Sequence, residues 1–376
     1  GGGLFFIGTR GTAEAPIVIE GEDPDDPPII RGGGEGMHFS NAEHLTLRNI
    51  IIDGAADNGI NIDDGSDFET PARHITLERI TVRNVGKGGN NDGMKLSGIV
   101  GLRITDCTVD TWGVRGSGID FVGCHDVLME GCTIRGRDDH GSNGVQIKGG
   151  STEVTVRRCR FEHAGSRAVQ IGGSTGLDYF RPAFEGYEAK AVIVEGCTII
   201  GGQAAIAFVS ADSSIVQFNT IYRPKHFIVR ILQENRNEGF IPCRDGVFEN
   251  NLVVWRSDEL RTTFNIGPET DPMSFTFIGN GWHCLDQPAR SDPKPPTREA
   301  RGVYGPAPMF TDADAGDLSQ TAASPHRDRG AYQAPPKPSG SRSARSLVAR
   351  QSGCRSSRRF ARAGSPARSS RRSTFG

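Results

Sequence analysis

Residues 138–150, DDHGSNGVQIKGG, set two acids and His140 ahead of a short alternating run that ends on Lys148. Upstream, GMKL carries Lys95 and GIDF carries Asp120 at matching places in similar runs. Amines and carboxylates held within reach of one another can pass protons, the requirement of general acid–base chemistry. The acid-rich NIDDGSDFE offers Asp63, Asp64 and Asp67, hard oxygens suited to Ca²⁺, the one cofactor these residues suggest. Each group also has a plainer account, since turns favour Asp and Gly for their own backbone reasons and a single exposed Lys is usually just solvated. Whether they form a site depends on the elements that carry them.

Those elements repeat. The pattern small residue, apolar, any, apolar recurs as GMHF, GINI, GMKL, GIDF, GVQI, AVQI and AIAF, most steps being close to two dozen residues long. Each unit continues with a second alternating pattern, such as LTLRNIII, ITLERITV, LRITDCTV and VIVEGCTI, broken by a two-residue bend. Every unit therefore supplies three short strands that cannot bury their faces alone and must stack. The spacing predicts an all-β solenoid: a single-stranded parallel β-helix with long loops on one face and an irregular C-terminal cap. Cys107, Cys132, Cys159 and Cys197 fall on one inward position of successive units, continued by Asn219 and Asn251. Without a CxxC spacing, this reads as a ladder of small buried side chains.

A residue between two inward ones points outward. One outward column then runs His38, Asn61, Lys95, Asp120, Gln146, Gln170, Ala207, Arg230, Asn265, with neighbours about 4.8 Å apart. Insertions follow the same strand at residues 63–73, 172–189 and 233–245, and should stand as walls along this face. They bring Phe68, Tyr179, Phe180, Phe184, Tyr187 and Phe240, rings that can stack on sugars or anchor the loops.

The repeat resembles the right-handed parallel β-helix of the pectate-lyase-like superfamily, from about Gly36 to Ile266. That resemblance implies a carbohydrate-active protein. In its polysaccharide lyases, a Lys or Arg takes the proton from C5 of a uronic acid while a second charge neutralises the carboxylate. Lys148 is then the first choice of base, with Lys95 second and Asp120 and Arg230 beside them. Asn61, Gln146, Gln170, His140, Tyr179, Phe180 and Tyr187 are the expected substrate contacts. Its glycosidases use Asp clusters instead, which would point to Asp120, Asp138 and Asp139. A non-catalytic glycan-binding or surface module is the third reading. All three place the protein in the periplasm, at the cell surface or outside the cell, as a monomer.

Bulk properties fit this picture. The hydrophobic fraction of 36% is low for a layered core, while 50 Gly suit tight turns. No run of 18 apolar residues exists to span a membrane. The last stretch, 334–376, is rich in Arg and Ser with no acid, so it is expected to be a disordered tail beyond a β-helix domain at 1–333. The net charge of −2 therefore hides an acidic body, which excludes nucleic acid as a partner. The chain opens GGGLFFIG, without initiator Met or leader, so the N-terminal cap is expected to be missing from it.

Overall fold

The computed structural model describes residues 3–138, 141–181 and 183–331. Residues Gly1–Gln333 form one unit, and the Arg-rich segment lies outside the described residues, as do Asp139 and His140. The chain coils through three long parallel sheets of ten, twelve and eleven strands, each strand pairing with its counterpart one coil away. The first sheet runs from Leu4–Ile7 to Thr262–Ile266, the second begins at Ile17–Glu20 and the third at Ile29–Arg31. This is a parallel β-helix, as the repeat predicts.

Alternation dictates what each coil buries. In the first sheet Met37 and Phe39, Ile60 and Ile62, Met94 and Leu96, Ile119 and Phe121, and Val145 and Ile147 point inward and are all essentially solvent-free. Burying each such side chain is worth roughly 1.5–3 kcal/mol, so the coils hold together by stacking thin apolar slices.

From the second coil on, the bend between second and third sheets is one left-handed residue: Asn49, Arg79, Asp106, Arg158, Phe218 and Asn250 have φ of 50–54°, and Gly131, Gly196 and Gly279 take the remaining places. Only glycine adopts this conformation without strain, so the non-glycine members depend on the stack to hold them.

The next position carries the inward ladder. Cys107, Cys132, Cys159 and Cys197 are buried free thiols, each close to the carbonyl two residues before it. The ladder then becomes amide. Asn219 Nδ2 donates to Asn251 Oδ1 (3.0 Å), Asn251 Nδ2 to Asn280 Oδ1 (3.1 Å), and Asn280 Nδ2 to Glu299 (2.8 Å). Asn251 Oδ1 also accepts the Asn219 backbone N–H at 2.9 Å. Asn251→Ala should therefore leave the buried Asn219 backbone N–H without its acceptor, at a cost of about 1–3 kcal/mol. The expected result is a lower urea midpoint with an unchanged m-value.

The closing segment is irregular, as expected, and only its first part lies on the last coil. The last coil is completed by residues near Ala300, which pairs with Ile278, and by Val303–Tyr304. The following hairpin, Phe310–Asp312 with Asp317–Gln320, instead turns back along the third sheet. There Gly316 O accepts from Arg160 (3.1 Å), and Ala331 N–H donates to Thr220 (2.9 Å). A cap that runs backwards satisfies edge groups and covers apolar strand surface together.

Candidate active site

The outward column forms in the predicted register. Across the first sheet His38 pairs with Asn61, Asn61 with Lys95, Lys95 with Asp120, Asp120 with Gln146, Gln146 with Gln170, Gln170 with Ala207, Ala207 with Arg230 and Arg230 with Asn265. Strand pairing thus places Lys95 one strand before Asp120, while Lys148 extends from the strand after it. Both ammonium groups close on the same oxygen. Lys95 Nζ is ion-paired with Asp120 Oδ2, and Lys148 Nζ lies 3.2 Å from it. Lys148 also donates to Gln146 Oε1 at 3.4 Å.

A fourth member was not seen in the sequence. Asp92 Oδ2 sits 3.6 Å from Lys95 Nζ, and Asp92 Oδ1 accepts the Ser117 N–H at 2.6 Å. Asp92 lies three residues before Lys95, in a row continued by Ser117, Asn143 and Arg167 at the same offset. That row of residues was the available signal, but they precede the strand pattern and read as turn.

Burial sorts these groups. The Asp120 and Asp92 side chains are 2% and 7% exposed, those of Lys95 and Lys148 30% and 20%. The carboxylates lie underneath and the ammonium groups meet solvent. Burial and the nearby Asp120 charge push Asp92 up to about 7. Burial would push Asp120 up as well, but Lys148 and Lys95 hold it below the usual carboxylate range. Burial pulls Lys95 down, yet Asp120 and Asp92 outweigh it and keep the amine raised, a firmly charged ammonium. Asp120 Oδ1 is buried without a hydrogen-bond partner, a cost more common at sites of function than in finished cores.

The raised Asp92 has a consequence for stability. The unfolded chain releases this proton near pH 4 and the native state only near 7, so between these values the native state binds more protons and stability falls as pH rises. Asp92→Asn keeps the Ser117 acceptor and should remove that slope. Thermal midpoints of the two proteins from pH 4 to 8 would show the curves diverging through this window.

The other expected residues are distributed differently. Arg230 is not a partner of Lys148. It stands three strands further on, about 14 Å, where it donates to Asn265 (2.9 Å) and lies over Phe227. Burial, with Arg167 nearby, lowers it to about 10. Gln170 is buried and held by Arg167 and Gly172 O, so it offers no free amide to a substrate.

Phe180 and Tyr187 are also buried. Phe180 packs edge-on against Phe184 and Phe240, so these rings tie the two later loops together. The Tyr187 hydroxyl donates to Glu185 at 2.6 Å. Tyr179, 61% exposed, is the ring left open to a ligand. Asn61 is half-buried beside His38, whose two ring nitrogens lie 2.7 Å from Glu35 and from Asp63.

The acidic turn does not converge on a cation. Asp63 is held by His38, Ser40 and the Gly65 N–H, Asp64 is buried in an ion pair with Arg181, and Asp67 is an exposed cap for Glu69 N–H. Among the described residues no group of three His, Cys, Asp or Glu side chains is arranged to hold a metal. Asp138 is likewise engaged elsewhere, by Lys225, His163 and the Gly202 N–H in a separate pocket of about 540 Å³.

The loops form a wall on the downstream side of the column. Arg181 reaches back from the 172–189 loop to Asp64, with its guanidinium 3.9 Å from the Phe68 ring centre. His125 Nε2 meets Arg181 O at 2.9 Å and its Nδ1 meets Thr152 at 2.8 Å. Glu188, fully buried, accepts from Gly149 N–H (2.9 Å), Thr175 N–H (2.6 Å), Thr175 Oγ1 (2.7 Å) and Asn235 Nδ2 (2.7 Å). One carboxylate therefore fastens both later loops to the turn that follows Lys148.

Residues 35–186 match the family model described as "Right handed beta helix region". Over that stretch the chain is similar to this family, and the coils described above agree with it. No curated protein matches the sequence. Among solved structures, the β-helix is similar to a PL6 family alginate lyase, AlyGC, at 11% identity and a TM-score of 0.46, over 87% of this chain and 52% of that one. It is similar to pectate lyase Pel9A at 11% identity and a TM-score of 0.42, over 86% and 80% of the two chains. The catalytic domain of a GH87 α-1,3-glucanase in complex with nigerose gives 13% identity and a TM-score of 0.41, over 65% and 47%. The β-helix thus spans about half the length of the alginate lyase and glucanase chains. These likenesses concern the course of the backbone. Among the described residues no helix is long and apolar enough to cross a membrane.

Proposed function

We propose that this β-helix acts outside the cytoplasm on an acidic, uronate-containing polysaccharide and cleaves it by β-elimination. The observation that carries this is the vertical order of the cluster: two solvent-facing ammonium groups above two buried acids. An acidic body would repel a polyanion unless its groove were locally positive. Lys95 and Lys148 share one depressed carboxylate, and the second acid is half neutral near pH 7, so the local surface is cationic.

The roles divide by environment. Lys95 stays charged and binds the uronate carboxylate, offsetting the charge that builds on it when the neighbouring carbon loses its proton. Lys148, the more loosely held of the two, takes that proton from C5 once its own has been given up. The C5–H electron pair becomes the C4–C5 double bond, the bond from C4 to the glycosidic oxygen breaks, the leaving oxygen takes a proton from water, and the resulting hydroxide recovers the proton held on Lys148. In this reading Gln146, Asn61 and Tyr179 contact the sugars. Hydrolysis by Asp120 fits less well, since an acid covered by two lysines does not reach a glycosidic oxygen.

The test is incubation with pectate, alginate, glucuronan and glycosaminoglycans, following the ultraviolet absorbance of unsaturated uronates. A rise on one of them is expected. New reducing ends without that absorbance would replace elimination by hydrolysis, and binding without either would make the protein a glycan-binding module.

A further inference from the structure

The groove that holds Lys95 and Lys148 is not open along its length. Toward the first coil its outward column stays accessible, through Asn61 and His38 to Phe5, which pairs with His38 and is 62% exposed. In the other direction the outward face is covered within one strand of Gln146. Gln170 and Ala207 in this column are buried, as are Val209 and Leu232 two residues further along their strands, and the column is half-buried again only at Arg230 and Asn265.

What covers them is specific. Arg167 spans the first column, donating to Gln170 and to both carboxylate oxygens of Glu234. Beside Val209 and Leu232, Asn235 N–H donates to Ser210 Oγ (3.0 Å) and Asn235 Nδ2 to Thr175 O (2.8 Å), joining the 233–245 loop to the 172–189 loop. Gly173 itself is pressed onto the site. A Cβ there would lie 3.0 Å from Gln146 Nε2 and 3.2 Å from Lys148 Cβ, so these side chains would have to give by a few tenths of an ångström.

Resting on the acidic-polysaccharide reading above, we propose that the β-helix engages its polymer by one end. The chain runs from the lysine pair toward His38 and Phe5, and its terminal sugar stops against Gly173 and the Arg167–Glu234 bridge. Cleavage is then exo-acting and releases one short unsaturated product of constant length.

The experiment uses oligosaccharides of pectate, alginate and glucuronan carrying a bulky fluorophore at either the reducing or the non-reducing end, with binding read by anisotropy and products followed from the earliest time points. One labelled end should weaken binding by at least about tenfold while the other is tolerated, and the first product should already have its final length. Equal tolerance of both labels, or an initial ladder of long fragments, would overturn end-on binding while leaving elimination intact. End-selective binding without unsaturated product would do the reverse, sinking elimination and keeping the closed end. Failure of every oligosaccharide to bind would remove both.

Discussion

Lys148→Ala is expected to lower the formation of unsaturated uronate by at least about a hundredfold, the usual contribution of a positioned general base. The fold should survive, because Asp120 keeps its pairing with Lys95 and is not left as a lone buried charge. Lys95→Ala should behave differently. It removes the charge that holds the substrate carboxylate, so KM should rise along with any loss in kcat. A Lys148 variant that retains full elimination would exclude it as base. The same loss in both variants with no change in KM would instead indicate that the two lysines only shape the surface.

Asp64→Ala should cause the largest loss of stability, about 3–5 kcal/mol, because it leaves the Arg181 guanidinium buried without its partner. The two side chains are 1% and 10% exposed, and Arg181 also sits above Phe68. Replacing both partners with Leu should recover much of that loss, since the buried charge disappears with its counter-ion. Urea unfolding of the single and double variants makes the comparison. If the single change costs no more than a surface ion pair, about 1 kcal/mol or less, then the loop does not depend on this anchor.

The parts of this molecule that repeat were legible in the sequence. Eight outward positions from His38 to Arg230 pair in the order that simple alternation requires, and the cysteine ladder takes its inward place. Period-2 patterning determines which face a residue takes, so a repeated error of register would have turned every column inward. What alternation does not encode is where a loop goes once it leaves the coil. Arg181 binding Asp64, a residue 117 positions earlier, has no local signature. For the same reason Gln170 and Tyr187 read as exposed: the strand or loop pattern gives their direction, while the covering chain comes from elsewhere. Asp92 was missed because it stands just ahead of its strand, where an Asp–Gly pair is already explained as a turn.

The four hydrogen bonds that converge on Glu188 bear on the thermodynamics of recognition. They bind the two later loops and the Lys148 turn into one body before any sugar arrives. A ligand meeting such a surface spends little on ordering main chain. Calorimetric titration should therefore show a modest entropic penalty for association, with affinity limited by displaced water and paired charge.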